Sequence, residues 1–146
     1  MYLNPIEGQL YFSTYTNLNW IRVLEDDAHK EIIIKSLKFL VDNKRIKLYA
    51  FVIMPNHIHL IWEIMESHKL KDVQRDFLKY TAQQMKFNLI ATNNPILDDL
   101  VVYSKDRMTQ FWERNGLSFT LNDPETIMHK MNYIHNNPIK EKWSLA

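Results

Sequence analysis

Residues 46–65 read IKLYAFVIMPNHIHLIWEIM, two strand-length apolar runs broken only by a Pro-Asn pair. Nothing else in the chain restricts its fold so tightly. The run from Ile46 to Met54 is almost continuously apolar and is followed by turn residues, which predicts a buried strand. Pro55-Asn56 makes a short turn. From His57 to Met65 the pattern alternates. Ile58, Leu60, Trp62 and Ile64 fall on one face, and His57, His59, Ile61 and Glu63 on the other. The two runs predict an antiparallel hairpin with an apolar face that other elements must cover.

The flanking sequence supplies those elements. QLYFSTYT, Gln9 to Thr16, mixes β-branched and aromatic residues with polar ones and reads as a first strand. EDDAHKEIIIKSLKFLVDNKR carries Ile33, Leu37, Leu40 and Val41 at helical spacing, with Asp26 or Asp27 as cap and an end near Asn43. Residues 68–90 read as a long helix. Leu70, Val73, Phe77 and Tyr80 form its apolar stripe, so Tyr80 is assigned to the core. Lys71, Arg75, Lys79 and Lys86 gather on its opposite side, as a solvated face or as a phosphate-contacting ridge. Residues 91–108 suggest an irregular connection or insert, and TQFWERNGLSFTL a last strand or pair of strands with a turn at Asn115-Gly116. A final helix opens on Asn122 or Asp123, with Pro124 and Glu125 in its first turn and Ile127, Met131 and Ile134 on its packing side. Pro138 predicts that it ends at Asn137.

The resulting order is strand, helix, strand, strand, helix, strand, helix. It predicts one α+β domain over 1–146, an antiparallel sheet with helices on one face. The first six elements follow the ferredoxin-like order. An apolar share of 46% over 146 residues is ample for a core. There is no cysteine, so disulfides and thiolate metal sites are excluded. The two glycines, Gly8 and Gly116, cannot build a phosphate-cradling loop, which argues against a nucleotide cofactor. No run is apolar enough for a membrane span and no secretory signal is visible, so the expected location is cytoplasmic. The formal charge of +1 leaves any nucleic-acid contact to local basic patches.

His57 and His59 lie on one side of their strand with Cα atoms about 6–7 Å apart, close enough for two imidazoles to converge on one ion. The same pair also fits two partly buried histidines donating to backbone carbonyls. Without cysteine, a third ligand must be oxygen or another histidine: Glu63, His68, His129, His135 or Asn137. Glu63 shares the histidine face but stands about 13 Å from His59 by strand rise. Tyr133 and Asn137 are four apart on the terminal helix and share a face. A phenolate can attack phosphorus, and a carboxamide oxygen can ligate Mg²⁺ or Mn²⁺. On spacing alone, an ordinary packing tyrosine and an asparagine at a helix end are the plainer readings of the two.

YAFVIMPNHIHLIW resembles the histidine-hydrophobe-histidine motif of the IS200/IS605-like and REP-associated tyrosine transposases. FWERN followed by YIHNNPIK resembles their downstream signature, and NWIRVLEDDAHKEIIIKSLKFL and LKDVQRDFLKYTAQQMKF fit the same pattern. The resemblance covers nearly the whole chain. It implies an HUH-type endonuclease fold, His57, His59 and Asn137 as ligands of Mg²⁺ or Mn²⁺, and Tyr133 as nucleophile. It also implies cleavage and rejoining of single-stranded DNA, bearing a foldback or hairpin, through a 5′-phosphotyrosine. Homodimers are usual in the family, with the tyrosine serving its own or the partner's histidines. The basic ridge of Lys71, Arg75, Lys79 and Lys86 then gains weight as a DNA contact, with Lys105, Arg107 and Arg114 as further candidates. Trp112 could stack on an unpaired base or pack in the core. Tyr80 is the rival nucleophile but lacks the Asn-Pro that follows Tyr133. Only IKEKWSLA follows Pro138, which suggests a form shortened at its C-terminus. The alternative is a non-enzymatic or domesticated DNA-hairpin-binding protein on the same scaffold.

Overall fold

The computed structural model describes residues 8–103, 107–114 and 116–140; for Tyr103, Arg107 and residues 137–140 it describes the backbone alone. Asn115 and Lys105 lie outside the described residues. The first strand, β1 (Gln9–Thr16), leads through two short 3-10 turns to α1 (Asp27–Asp42). Asp26 caps α1 by accepting from the Ala28 N–H at 2.9 Å. The hairpin follows as β2 (Ile46–Ile53) and β3 (His57–Ile64), closed by the Met54 N–H donating to the His57 carbonyl at 2.8 Å. Then come α2 (Leu70–Ala91), a single turn α3 (Ile96–Asp99), the short strands β4 (Val101–Tyr103) and β5 (Arg107–Thr109), β6 (Leu117–Thr120) and α4 (Pro124–Lys140).

The four-stranded sheet has the order β2-β3-β1-β6, antiparallel throughout, which is the ferredoxin-like arrangement. Strand alternation divides its side chains between two cores. On one face Ile58, Leu60, Trp62 and Ile64 pack against Ile33, Leu37 and Leu40 of α1 and Val73, Phe77, Met85 and Leu89 of α2. Trp62 is fully buried, and its indole N–H donates to Ser13 Oγ at 2.9 Å. Each such side chain contributes about 1.5–3 kcal/mol by leaving water. The expected sheet with helices on one face is therefore formed by α1 and α2.

The terminal helix adds a layer on the other face. Leu10, Phe12, Val52 and Ile61 of the sheet meet Ile127 and Ile134 of α4 there. Asp123 caps this helix, accepting from the Thr126 N–H and hydroxyl, both at 2.9 Å. Contrary to the expected stop at Asn137, α4 continues to Lys140. Pro138 has no N–H to give, so the helix passes it with one hydrogen bond fewer.

Two further expectations change. Tyr80 is 51% exposed rather than core, because the buried stripe of α2 runs through Val73, Phe77, Thr81, Met85 and Leu89 at four-residue steps. The described residues within 91–108 are more regular than their sequence suggests. They include α3 and a two-stranded ribbon in which Val101 pairs with Thr109 and Val102 with Met108.

Candidate functional site

His57 and His59 begin β3 on the face covered by α4, and their ring centroids are 4.9 Å apart. Thr14 is the cross-strand partner of His59, and its Oγ1 lies 2.9 Å from His59 Nδ1. The other ring nitrogen, Nε2, is buried with no hydrogen-bond partner among the described residues. A buried polar atom left in that state is costly and calls for an explanation. With Nδ1 held by Thr14, the Nε2 lone pair suits a metal ion, as in metal histidines whose second nitrogen is fixed by a neighbour. His57 is held in the same manner: its Nδ1–H donates to Asn56 Oδ1 at 2.8 Å.

Electrostatics agree with that role. Burial pushes His59 down to about 4, with the charges of His57 and Lys130 adding to the effect. Its ring is therefore neutral near pH 7 and able to ligate.

α4 brings Tyr133 to the pair. The Tyr133 ring lies 5.4 Å from that of His59 and 6.5 Å from that of Phe12, and the residue is 43% exposed. The nucleophile candidate and the histidines thus meet within one chain. The backbone of Asn137 lies one helical turn further along α4, while its side chain is outside the described residues.

The other ligand candidates do not gather. Among the described residues, no group of three or more His, Asp or Glu could hold an ion. Glu63 is buried and accepts from the Gly8 N–H at 3.0 Å and the Tyr49 hydroxyl at 2.8 Å, so it closes structure rather than facing the pair. His129 and His135 are exposed on α4, and His68 sits in the turn after β3.

Sequence reading missed two neighbours of the site. Thr14 was hidden because strand register is invisible in one strand alone. Lys130 was marked by its spacing, three residues before Tyr133 and seven before Asn137 on one helical face. Its Nζ is 4.9, 5.3 and 5.9 Å from the ring centroids of Phe12, Phe119 and Tyr133.

The basic candidates are scattered. Lys71, Arg75 and Lys79 are exposed and Lys86 half-buried on α2, across the sheet from the histidines. Arg75 is also paired with Asp72 and Asp76 at 3.3 and 3.2 Å. Arg114 is exposed after β5, and of Arg107 only the backbone on β5 is described. Trp112 takes its core alternative: it is 7% exposed, with its indole N–H donating to Thr81 Oγ1 at 3.2 Å.

Solved structures share this fold. A REP-associated tyrosine transposase bound to a REP hairpin is 18% identical, with a TM-score of 0.67 over 99% of this chain and 75% of its own. A Deinococcus radiodurans R1 protein assigned as a transposase is also 18% identical, with a TM-score of 0.59 over 93% of this chain and 95% of its own. No curated protein matches. No helix among the described residues is long and apolar enough to cross a membrane. The family model for IS200-like transposases matches residues 19–137, a span holding the histidine strand, three of the four strands of the main sheet and the Tyr133 helix as far as Asn137, and on that match the chain belongs to the IS200-like transposase family.

Proposed function

We propose that this chain cleaves and rejoins single-stranded DNA during transposition through a covalent 5′-phosphotyrosine on Tyr133. One observation carries the reading: the Tyr133 ring lies 5.4 Å from His59, whose Nε2 is buried and unpartnered. Family membership supports the transposition context, and the hairpin bound to one solved relative supports hairpin-bearing DNA as substrate.

His57 and His59, with Asn137 from α4, would hold Mg²⁺ or Mn²⁺, which when bound would polarise the scissile phosphate and spread its developing charge. The chain's own groups do the rest. Thr14 and Asn56 keep the two imidazoles oriented through Nδ1. Tyr133, 43% exposed, would present its hydroxyl to the strand. The hydroxyl gives its proton to water, its oxygen attacks phosphorus, and the P–O3′ bond breaks. The leaving O3′ takes up a proton, and the 5′ end stays on the tyrosine. A 3′-hydroxyl from another strand reverses the step and restores a phosphodiester. Bond energy is kept in the phosphotyrosine, so no nucleotide cofactor is required.

Lys71, Arg75, Lys79, Lys86, Lys105, Arg107 and Arg114 are proposed phosphate contacts. Those on α2 would serve a duplex stem rather than the reacting phosphate, since the sheet separates them from the histidines. A homodimer is proposed as well. β6 ends the sheet, and its Leu117 is 60% exposed.

The test is incubation of the protein with labelled hairpin DNA carrying single-stranded flanks, in Mg²⁺ or Mn²⁺. A labelled protein band that survives denaturation and vanishes with chelator is the expected result. Binding without any such band would reduce the chain to a hairpin-binding protein.

A further inference from the structure

The loop between β1 and α1 holds a backbone conformation that its sequence does not favour. Asn19 and Trp20 both have positive φ, 52° and 60°. Asparagine tolerates this region, but a bulky aromatic in it is an outlier that persists only where its surroundings enforce it. The surroundings here do so. The Asn19 N–H donates to Glu113 Oε1 at 2.7 Å, and the Trp20 N–H to the Asn17 carbonyl at 3.1 Å. The Trp20 carbonyl accepts from Asn56 Nδ2 at 3.3 Å.

Core packing does not account for the indole. Trp20 is 65% exposed, the most exposed large apolar side chain among the described residues. Trp62 and Trp112, by contrast, are buried with their N–H groups donating. The loop is also tied to the site. The amide that holds the Trp20 carbonyl is the one whose Oδ1 accepts from His57 Nδ1 at 2.8 Å. One side chain, Asn56, therefore spans the Trp20 backbone and the first histidine. A strained backbone, an exposed aromatic ring and a hydrogen-bonded link to the histidine strand occur together at one residue.

We propose that Trp20 is a stacking platform for one unpaired nucleobase flanking the phosphodiester handled at His57 and His59. The inference rests on the DNA-cleavage reading above and adds to it the residue that grips the single strand beside the site. Stacking needs only a π-face, so the platform fixes the strand's position without strong base preference. Glycine would suit the backbone better, so stability does not explain the tryptophan.

The test uses a fluorescein-labelled DNA hairpin with thymidine flanks, in which abasic sites replace the flanking nucleotides one at a time. Affinity is read by anisotropy in the Tyr133→Phe protein, where the strand stays intact. One flanking position should lose about tenfold in affinity when abasic, the size of one base–aromatic stack. Adding Trp20→Ala should weaken intact DNA to a similar degree and abolish the penalty at that position alone. Trp20→Phe should restore most of the affinity. Trp20→Gly should bind as weakly as Trp20→Ala yet melt at a higher temperature than the parent, which separates a binding loss from misfolding. Unchanged affinity in Trp20→Ala, or a loss that simply adds to the abasic penalty at every position, overturns the inference. Absence of any hairpin binding by the Tyr133→Phe parent overturns the functional reading, and this inference with it.

Discussion

The Thr14 hydroxyl and His59 Nδ1 stand 2.9 Å apart across paired strands, while His59 Nε2 is buried with no partner among the described residues. When Nδ1 carries the proton it donates to Thr14, and Nε2 keeps its lone pair. Thr14→Val keeps the shape and removes the acceptor. It should raise the manganese concentration for half-maximal adduct formation by about 10–100-fold, the usual effect of losing a metal ligand's supporting partner. Saturating metal should recover most of the activity, and a metal titration of the labelled adduct checks both points.

His59 gives the metal-free protein a pH dependence of known sign. Its pKa falls from 6.5 to about 4 on folding, chiefly through burial. The folded state thus disfavours the protonated ring. This stabilisation is fully present above pH 6.5, falls as the pH drops from 6.5 toward about 4, and is lost below that. Its size is on the order of 3 kcal/mol. Urea unfolding of the metal-free protein at pH 7.5 and pH 4.5 should show the drop, and His59→Asn should flatten it.

Lys130 places a cation among Phe12, Phe119 and Tyr133, one helical turn before the tyrosine. Lys130→Met keeps the aliphatic bulk and removes the charge. Binding of single-stranded DNA should weaken, and the slope of log affinity against log salt should shrink by about 0.7, the signature of one lost phosphate contact. Binding measured over a range of salt concentrations decides the matter. An unchanged slope would assign the ammonium to ring packing alone.

Glu63 lies on the histidine face of β3 but is spent on the Gly8 N–H and the Tyr49 hydroxyl. Glu63→Ala should lower stability by about 1–2 kcal/mol, because it removes a buried carboxylate and leaves two half-buried donors without their acceptor. The manganese midpoint for adduct formation should not move. Urea denaturation and the metal titration together separate the two effects, and a shifted metal midpoint would make Glu63 part of the ion site.

The hairpin was legible because a period of two is a strong signal over eight residues, and it put His57 and His59 on one face. Local chemistry narrowed the α1 cap to Asp26 or Asp27, of which Asp26 is used, while the sheet order followed from the ferredoxin-like succession of elements rather than from any one strand. Tyr80 was misjudged because the buried stripe of α2 drifts at four-residue steps, and nothing in the helix alone says which margin is covered. The three-residue strands β4 and β5 are too short to show any period. Pro138 marked a stop, yet α4 runs on to Lys140 without its N–H. The Tyr133–Asn137 spacing was readable, but that α4 lies on the histidine face rather than beside α1 and α2 is a tertiary fact, and the meeting of Tyr133 with His59 depends on it.

The central claim is that Tyr133 carries the DNA. The most direct measurement digests the covalent protein–DNA adduct and maps the phosphorylated tyrosine by mass spectrometry, in wild type and in Tyr133→Phe. A 5′-phosphate on the Tyr133 peptide and no adduct in the variant are the expected results. Full adduct formation by Tyr133→Phe, with the phosphate on the exposed Tyr80 or any other tyrosine, would contradict the claim.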